Sequence, residues 1–187
     1  MIIGVTGKSG SGKSTFANLL AKALNYNILD IDKIGHDVIE LNEVKEKLVE
    51  FYSKQILEND KINRKKLGQI VFNDKEKMKT FEMITWKPMA KTISKLIEKG
   101  DCILEWINLP RVEFFEKCDY KILVQSNFKT RKKRVLNRDN ISIDYFVSRD
   151  SNAIDYNESQ FDLVIYNNNL SDLEIAVEKT LGIIKKS

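Results

Sequence analysis

Hydrophobic positions along this chain follow two rhythms in alternation. Short apolar runs at Ile2-Ile3-Gly4-Val5, Asn27-Ile28-Leu29-Asp30, Asp101-Cys102-Ile103-Leu104-Glu105, Tyr120-Lys121-Ile122-Leu123-Val124 and Leu163-Val164-Ile165-Tyr166 read as buried strands. Between them apolar residues recur every three or four positions. Phe16, Leu19, Leu20, Ala23 and Leu24 do so within Thr15–Leu24, and Leu173, Ala176, Val177 and Leu181 within Ser171–Lys185; this is the spacing of helices that bury one face. Strands alternating with helices predict an α/β fold with a five-stranded parallel sheet flanked by helices.

One interval breaks the alternation. About sixty residues of helical pattern separate the second strand from the third, where a plain crossover needs only about a dozen. Val44, Leu48 and Phe51 predict a helix over Glu43–Leu57, and Glu58-Asn59-Asp60 predicts a turn. Further helices are predicted over Arg64–Phe72, Lys75–Ile84 and Met89–Lys99, the last two parted at Trp86-Lys87-Pro88. The 187 residues thus divide as one domain with a core of 1–36, 100–126 and 158–187, a helical insertion of about 37–99 that suits an acceptor substrate, and a segment of about 127–157 between the last two strands.

The chemistry starts where the first strand ends. Gly7-Lys8-Ser9-Gly10-Ser11-Gly12-Lys13-Ser14 has the Walker A spacing, and it lies between a predicted strand and a predicted helix, which is the context that gives the pattern meaning. Glycines at 7, 10 and 12 permit positive φ, so that backbone N–H groups converge on one point, joined there by the positive end of the following helix. A polyphosphate fits such a cradle. Lys8, Ser9, Ser11 and Thr15 complete the nucleotide-contacting stretch, with Lys13 reaching the β- and γ-phosphates and the Ser14 hydroxyl serving a Mg²⁺ ion. These features predict the P-loop NTPase fold and ATP with Mg²⁺ as its ligands.

Carboxylates near the other strand ends follow. Asp30 and Asp32, read as lying at the end of the second strand and pointing the same way, offer a base for an acceptor hydroxyl or a water-mediated contact to magnesium, with Asp32 taking precedence; a helix N-cap is the alternative use. Glu105 ends the third strand where a Walker B carboxylate approaches the metal. His36, the single histidine, has no second ligand at metal spacing and reads as a partly exposed helix residue. Arg64, ahead of a helix, suits a bidentate contact to a substrate phosphate or a solvated position.

Basic residues concentrate at 129–138. On a helix of about 3.6 residues per turn, Arg131, Arg134 and Arg138 fall within about 60° of one another. With Arg149 beyond, the segment resembles a mobile lid that brings positive charge to a transferring phosphoryl group. The net charge of +4 admits an anionic partner, but a compact basic cluster without interleaved aromatics suits a triphosphate better than a nucleic-acid backbone. No apolar run approaches the roughly 20 residues a bilayer demands. Because the chain opens on its first strand, no signal peptide is expected, and Cys102 and Cys118 read as reduced thiols of a cytoplasmic protein, though the two could pair.

The residues as a whole resemble the dephospho-coenzyme A kinase family from Ile2 to about Asn168. The likeness rests on Ile3-Gly4-Val5-Thr6-Gly7 entering the loop, Leu29-Asp30-Ile31-Asp32-Lys33-Ile34, Ile62-Asn63-Arg64-Lys65-Lys66-Leu67-Gly68 with Val71-Phe72, the Arg134/Arg138 pair, and Val164-Ile165 with Asn167-Asn168. The resemblance implies a nucleotide core, a helical coenzyme-binding part and a lid. It further implies Asp32 as base, Arg64 as a substrate contact, and Arg134 and Arg138 near the ATP phosphates. Departures fall at Trp86-Lys87-Pro88, where the family has His-Pro; at Ile107-Asn108-Leu109-Pro110-Arg111, where it has Pro-Leu-Leu-aromatic-Glu; at Arg131, usually glutamine; and at Asn169, usually glycine. The expected activity is phosphorylation of the ribose 3′-hydroxyl of dephospho-coenzyme A, the last step of coenzyme A synthesis, by a monomer or weak oligomer with no membrane or nucleic-acid partner. Phosphorylation of another nucleoside or nucleotide, and a non-catalytic nucleotide switch or RNA-binding protein, are the competing readings; the Asn-Lys-x-Asp signature of a GTPase is absent from the sequence.

Overall fold

The computed structural model describes residues 1–185. In chain order its elements are β1 (Ile2–Thr6), α1 (Lys13–Leu24), β2 (Asn27–Asp30), α2 (Ile31–Val38), α3 (Asn42–Tyr52), β3 (Leu57–Glu58), β4 (Lys61–Ile62), α4 (Arg64–Val71), α5 (Lys75–Ile97), β5 (Cys102–Glu105), β6 (Tyr120–Gln125), α6 (Phe128–Asp139), α7 (Ile143–Ser151), β7 (Leu163–Tyr166) and α8 (Leu170–Ile184). They form two compact units, Met1–Asp30 with Gly100 onward, and Ile31–Lys99. Lys186 and Ser187, the last positions of the expected core, lie outside the described residues.

Among the described residues, the first unit is built on one five-stranded parallel sheet in the order β2-β5-β1-β6-β7. Its strands are apolar on both faces, as a covered parallel sheet requires. Ile3, Val5, Ile103, Ile122 and Val124 pack with Phe16, Ala17 and Leu20 of α1 and Leu173 and Val177 of α8. Cys118 and Leu109 crowd the other face at Gly4, where a Cβ would lie 2.8 Å from the Cys118 sulfur. Both cysteines are buried free thiols, and burial pushes that of Cys118 up to about 12. β1 sits centrally, with strands added to either side of it, so the carboxyl end of β1 is the switch point where such sheets bind ligands.

The second unit is helical. Ile31, Ile34 and Val38 form the buried stripe of α2, which packs on α5, Gly35 facing the Met89 sulfur. α2 therefore belongs to this unit, which begins at Ile31 and not at 37. The strand geometry expected for both aspartates covers Asp30 alone, because β2 ends there and Asp32 lies in the first turn of α2.

Two further expectations change. The helix predicted over Glu43–Leu57 stops at Tyr52, where Ser53 takes φ 64; Leu57 then pairs with Ile62 in a small antiparallel ladder. The connecting Asn59 and Asp60 have φ of 48 and 60, the left-handed pair that a two-residue hairpin turn demands. The helices predicted on either side of Trp86-Lys87-Pro88 are one continuous helix, α5, with Pro88 inside it. Proline removes one ladder hydrogen bond and crowds the carbonyl one turn back. Here the buried stripe Thr85, Met89 and Ile93 runs straight through, and tertiary burial outweighs the local penalty. Among the described residues, no helix is long and apolar enough to cross a membrane.

Candidate active site

The loop after β1 takes the shape its glycines allow. Gly10 and Gly12 have φ of 78 and 96, and a Cβ on Gly12 would lie 2.1 Å from Asn167 Nδ2. That amide donates to Ser11 O at 2.7 Å, so the loop is clamped from the β7–α8 connection by a residue only 2% exposed. No side chain caps the N-terminus of α1, and its first turn carries no acid. Its leading N–H groups are therefore open to an anion, with the helix dipole in support. Ser14 and Thr15, in that first turn, are exposed.

Glu105 organises the cationic side of the loop. It ends β5, pairs in register with Val5 on one side and Asp30 on the other, and is 8% exposed. One of its oxygens, Oε1, accepts from Ser14 Oγ at 2.8 Å and lies 3.3 Å from Lys13 Nζ. The register also sets Asp30 and Glu105 side by side on the same face of adjacent strands. A hydroxyl and a carboxylate beside a phosphate cradle are the oxygen donors a magnesium ion uses, with water and phosphate oxygens completing its shell. Ser14 and Glu105 fit that role.

The α6–α7 segment closes over the loop's other side. Arg134 NH1 donates to Gly10 O at 3.3 Å and to Asn167 O at 3.4 Å. Lys8 is ion-paired with Asp155 at 2.9 Å. Tyr156, whose burial pushes its hydroxyl up to about 12, donates to Ile107 O at 2.7 Å and lies 3.3 Å from Thr6 Oγ1. A cavity of about 330 Å³ opens here, lined in part by Lys8, Ser11, Ser126, Arg131 and Tyr156. The Ser11 and Ser126 hydroxyls are buried with no hydrogen-bond partner among the described residues.

Arg131 departs from its expected place. Arg134 is half-buried against the loop and Arg138 is exposed, but Arg131 is 7% exposed. Its guanidinium makes a bidentate pair with Asp150 of α7, and its Nε donates to Ser126 O at 3.1 Å. It also lies 5.9 Å from the Phe128 ring, and Phe128 packs on Phe146 at 5.5 Å. The physical reason is α7, a helix the hydrophobic pattern missed, although Ser142 caps it by accepting from Tyr145 N. Arg131 holds Asp150 well below the usual carboxylate range. Arg138 is paired with its neighbour Asp139 at 2.6 Å, which raises the guanidinium and lowers the carboxyl. Arg149 is exposed beside Tyr145.

Of the residues predicted from sequence, Gly7 to Thr15, Asp30, Glu105 and Arg134 come together in the first unit. Asp32 and Arg64 belong to the helical unit, where Arg64 opens α4. Asn167, Tyr156, Asp150 and Asp155 carried no role in the sequence reading. Only the asparagine run around Asn167 gave a signal, because the partners of these residues lie far along the chain.

The chain matches the dephospho-CoA kinase family model over residues 1–172. It is 33% identical to a dephospho-CoA kinase of Fusobacterium nucleatum over 96% of each chain. Among solved structures it resembles a Thermus thermophilus protein, with a TM-score of 0.84, 25% identity and coverage of 97% and 96% of the two chains. It also resembles the dephospho-CoA kinase of Campylobacter jejuni, with a TM-score of 0.62, 25% identity and coverage of 100% and 98%. The clamped phosphate loop, the Glu105 cluster and the match along nearly the whole sequence agree, and the chain belongs to the dephospho-CoA kinase family.

Proposed function

We propose that this protein transfers the γ-phosphoryl group of ATP to the ribose 3′-hydroxyl of dephospho-CoA, giving CoA and ADP. The observation that carries the reading is Glu105, which gathers Lys13 and Ser14 at the uncapped end of α1 in a chain of this family. The backbone amides of Gly7 to Thr15 bind the phosphate tail, and Lys13 meets the charge of the β- and γ-phosphates. Ser14 and Glu105 would hold Mg²⁺, which would supply neutralisation of the charge that builds on the phosphate oxygens.

On the acceptor side, Asp32 takes the proton from the attacking hydroxyl, and Asp30 helps to hold the sugar. Chain position supports this assignment, since Asp32 follows by two residues the strand end paired with Glu105. Arg64 meets an acceptor phosphate. Residues 127–157 act as a lid whose Arg134 and Arg138 exchange their present carbonyl and carboxylate partners for the triphosphate. The guanidinium of Arg131, engaged with Asp150 and Ser126 at the edge of the cavity beside the loop, braces the lid. Positioning and prearranged charge carry catalysis of this kind.

The test is ADP release measured across an acceptor panel of dephospho-CoA, adenosine, AMP and shikimate. Turnover is expected with dephospho-CoA and at least about a hundredfold lower kcat/KM with the others, because a site built around a missing phosphate leaves its cations unpaired. Equal turnover across the panel would overturn the assignment of the acceptor.

A further inference from the structure

The structure assigns His36 as a positioning residue that holds Arg64 for the acceptor. The inference rests on the reading of Arg64 given above and concerns the helical unit alone.

Arg64 NH1 lies 2.7 Å from His36 Nδ1, and both side chains are exposed. A guanidinium has no acceptor atom and stays protonated, so it must donate and Nδ1 must carry the lone pair. In this contact the imidazole proton sits on Nε2. A surface arginine ordinarily samples many rotamers and loses side-chain entropy when it is fixed. A neutral acceptor fixes it without removing its charge, whereas a carboxylate in the same place would neutralise the group needed to bind a phosphate.

The backbone around Arg64 is fixed from the same stretch of chain. In the turn just after α2, Glu40 Oε1 accepts from Ile62 N at 3.0 Å. Asn63 then caps α4 by accepting from Lys66 N at 3.0 Å, gives its own N–H to Ile56 O at 2.7 Å, and donates from Nδ2 to Glu58 Oε2 at 2.6 Å. On α2, Asp32 and His36 are four residues apart and share one face, and Glu40 follows in the turn that ends the helix. Two of the three grip the chain at Ile62 and Arg64, and the third is the base proposed above. His36 and Glu40 thus fix, within one unit, the spacing between the carboxylate that receives the hydroxyl proton and the arginine that binds the same substrate.

Steady-state kinetics with dephospho-CoA varied at saturating ATP test this, using Arg64→Ala, His36→Ala, His36→Asn and the double alanine variant, each checked for an unchanged melting temperature. Arg64→Ala is expected to raise the acceptor KM by tenfold or more, the effect of losing a hydrogen bond to a charged group. His36→Ala should raise it about fivefold, with kcat and the KM for ATP within about twofold of the parent. His36→Asn, whose amide oxygen can take the place of Nδ1, should recover most of the loss. The double variant should bind the acceptor no worse than Arg64→Ala alone. An unchanged acceptor KM in Arg64→Ala would remove Arg64 from the acceptor site and this inference with it. An effect of Arg64→Ala without one of His36→Ala, a rise in the ATP KM of His36→Ala, or no recovery in His36→Asn would overturn the role of His36 and leave that of Arg64 standing.

Discussion

The two units of the chain treat charge in opposite ways. Around the phosphate loop three polar groups are buried and held: Glu105, Arg131 and Asn167 are 8%, 7% and 2% exposed, and each has fixed partners. In the helical unit Asp32, His36 and Arg64 are all exposed. Groups that must meet charge as it develops work best when already oriented and shielded from water. Groups that receive a large acceptor have to remain open to it. The comparison predicts that substitutions in the first unit lose rate and stability together, whereas those in the second lose rate or affinity alone. Lys13→Ala should have the largest effect, lowering single-turnover phosphoryl transfer by on the order of 10³-fold or more. Glu105 keeps its bond to Ser14 at 2.8 Å in that variant but loses the ammonium 3.3 Å away, so the protein should fold with a lowered melting temperature. A loss below about tenfold would end the distinction drawn here.

Asp32→Asn comes next. Asp32 is exposed in the first turn of α2, and asparagine keeps its size and one carbonyl acceptor, so the melting temperature should stay within about 2 °C of the parent. The kcat should fall by roughly 10²–10³, the scale of a lost general base, while the dissociation constant for ATP by titration calorimetry is unchanged. Near-normal turnover would remove Asp32 as the base.

The contrast also decides what the sequence made legible. The phosphate loop is local chemistry: its glycines, Lys13 and Ser14 occupy one short stretch, so its conformation follows from residue type. The strands were legible because a covered parallel sheet makes them apolar throughout. The bond between Arg64 and His36 spans 28 positions, and the Arg131–Asp150 pair spans 19; helical spacing could place the arginines of α6 on one face but not say which would turn inward to a partner on a helix yet unseen. The ladder of Leu57–Glu58 with Lys61–Ile62 is too short to show alternation, although its turn was plain. In α5 the local signal at Pro88 pointed the wrong way, since burial of Thr85, Met89 and Ile93 is a tertiary effect.

Asp150→Ala probes the buried side of the comparison. It would leave Arg131, with a side chain 8% exposed, without its counter-charge. Breaking a buried pair from one side costs about 3 kcal/mol, a fall in Tm of roughly 6–12 °C for a chain of this size. The loss should depend on pH. The folded-state value of Asp150 is depressed by Arg131, so its contribution is present above the unfolded value of about 4 and fades as pH falls through the lower folded one. Thermal melts of parent and variant should therefore differ most at neutral pH and converge in acid; a gap that stayed constant would mean that the lost packing, not the charge, is responsible.

The smallest effect is expected in the helical unit, and with the opposite sign. Pro88 leaves the carbonyl of Ile84 without its ladder donor, and a proline in a helix interior is intrinsically about 3 kcal/mol worse than alanine. Against this, proline restricts the unfolded chain, which is worth about 0.4–1 kcal/mol, and its half-buried ring would be lost. Thr85 and Thr92 bracket the site by returning their hydroxyls to Phe81 O at 2.8 Å and Pro88 O at 3.1 Å, contacts that favour a slight bend and that alanine at 88 would keep. The balance leaves Pro88→Ala more stable by about 1 kcal/mol, a rise of roughly 2–4 °C in Tm, with the acceptor KM unchanged. A fall in Tm would show that packing of the Thr85-Met89-Ile93 stripe on its neighbours requires the proline's geometry, and the helical unit would then be as tightly specified as the sheet it is contrasted with.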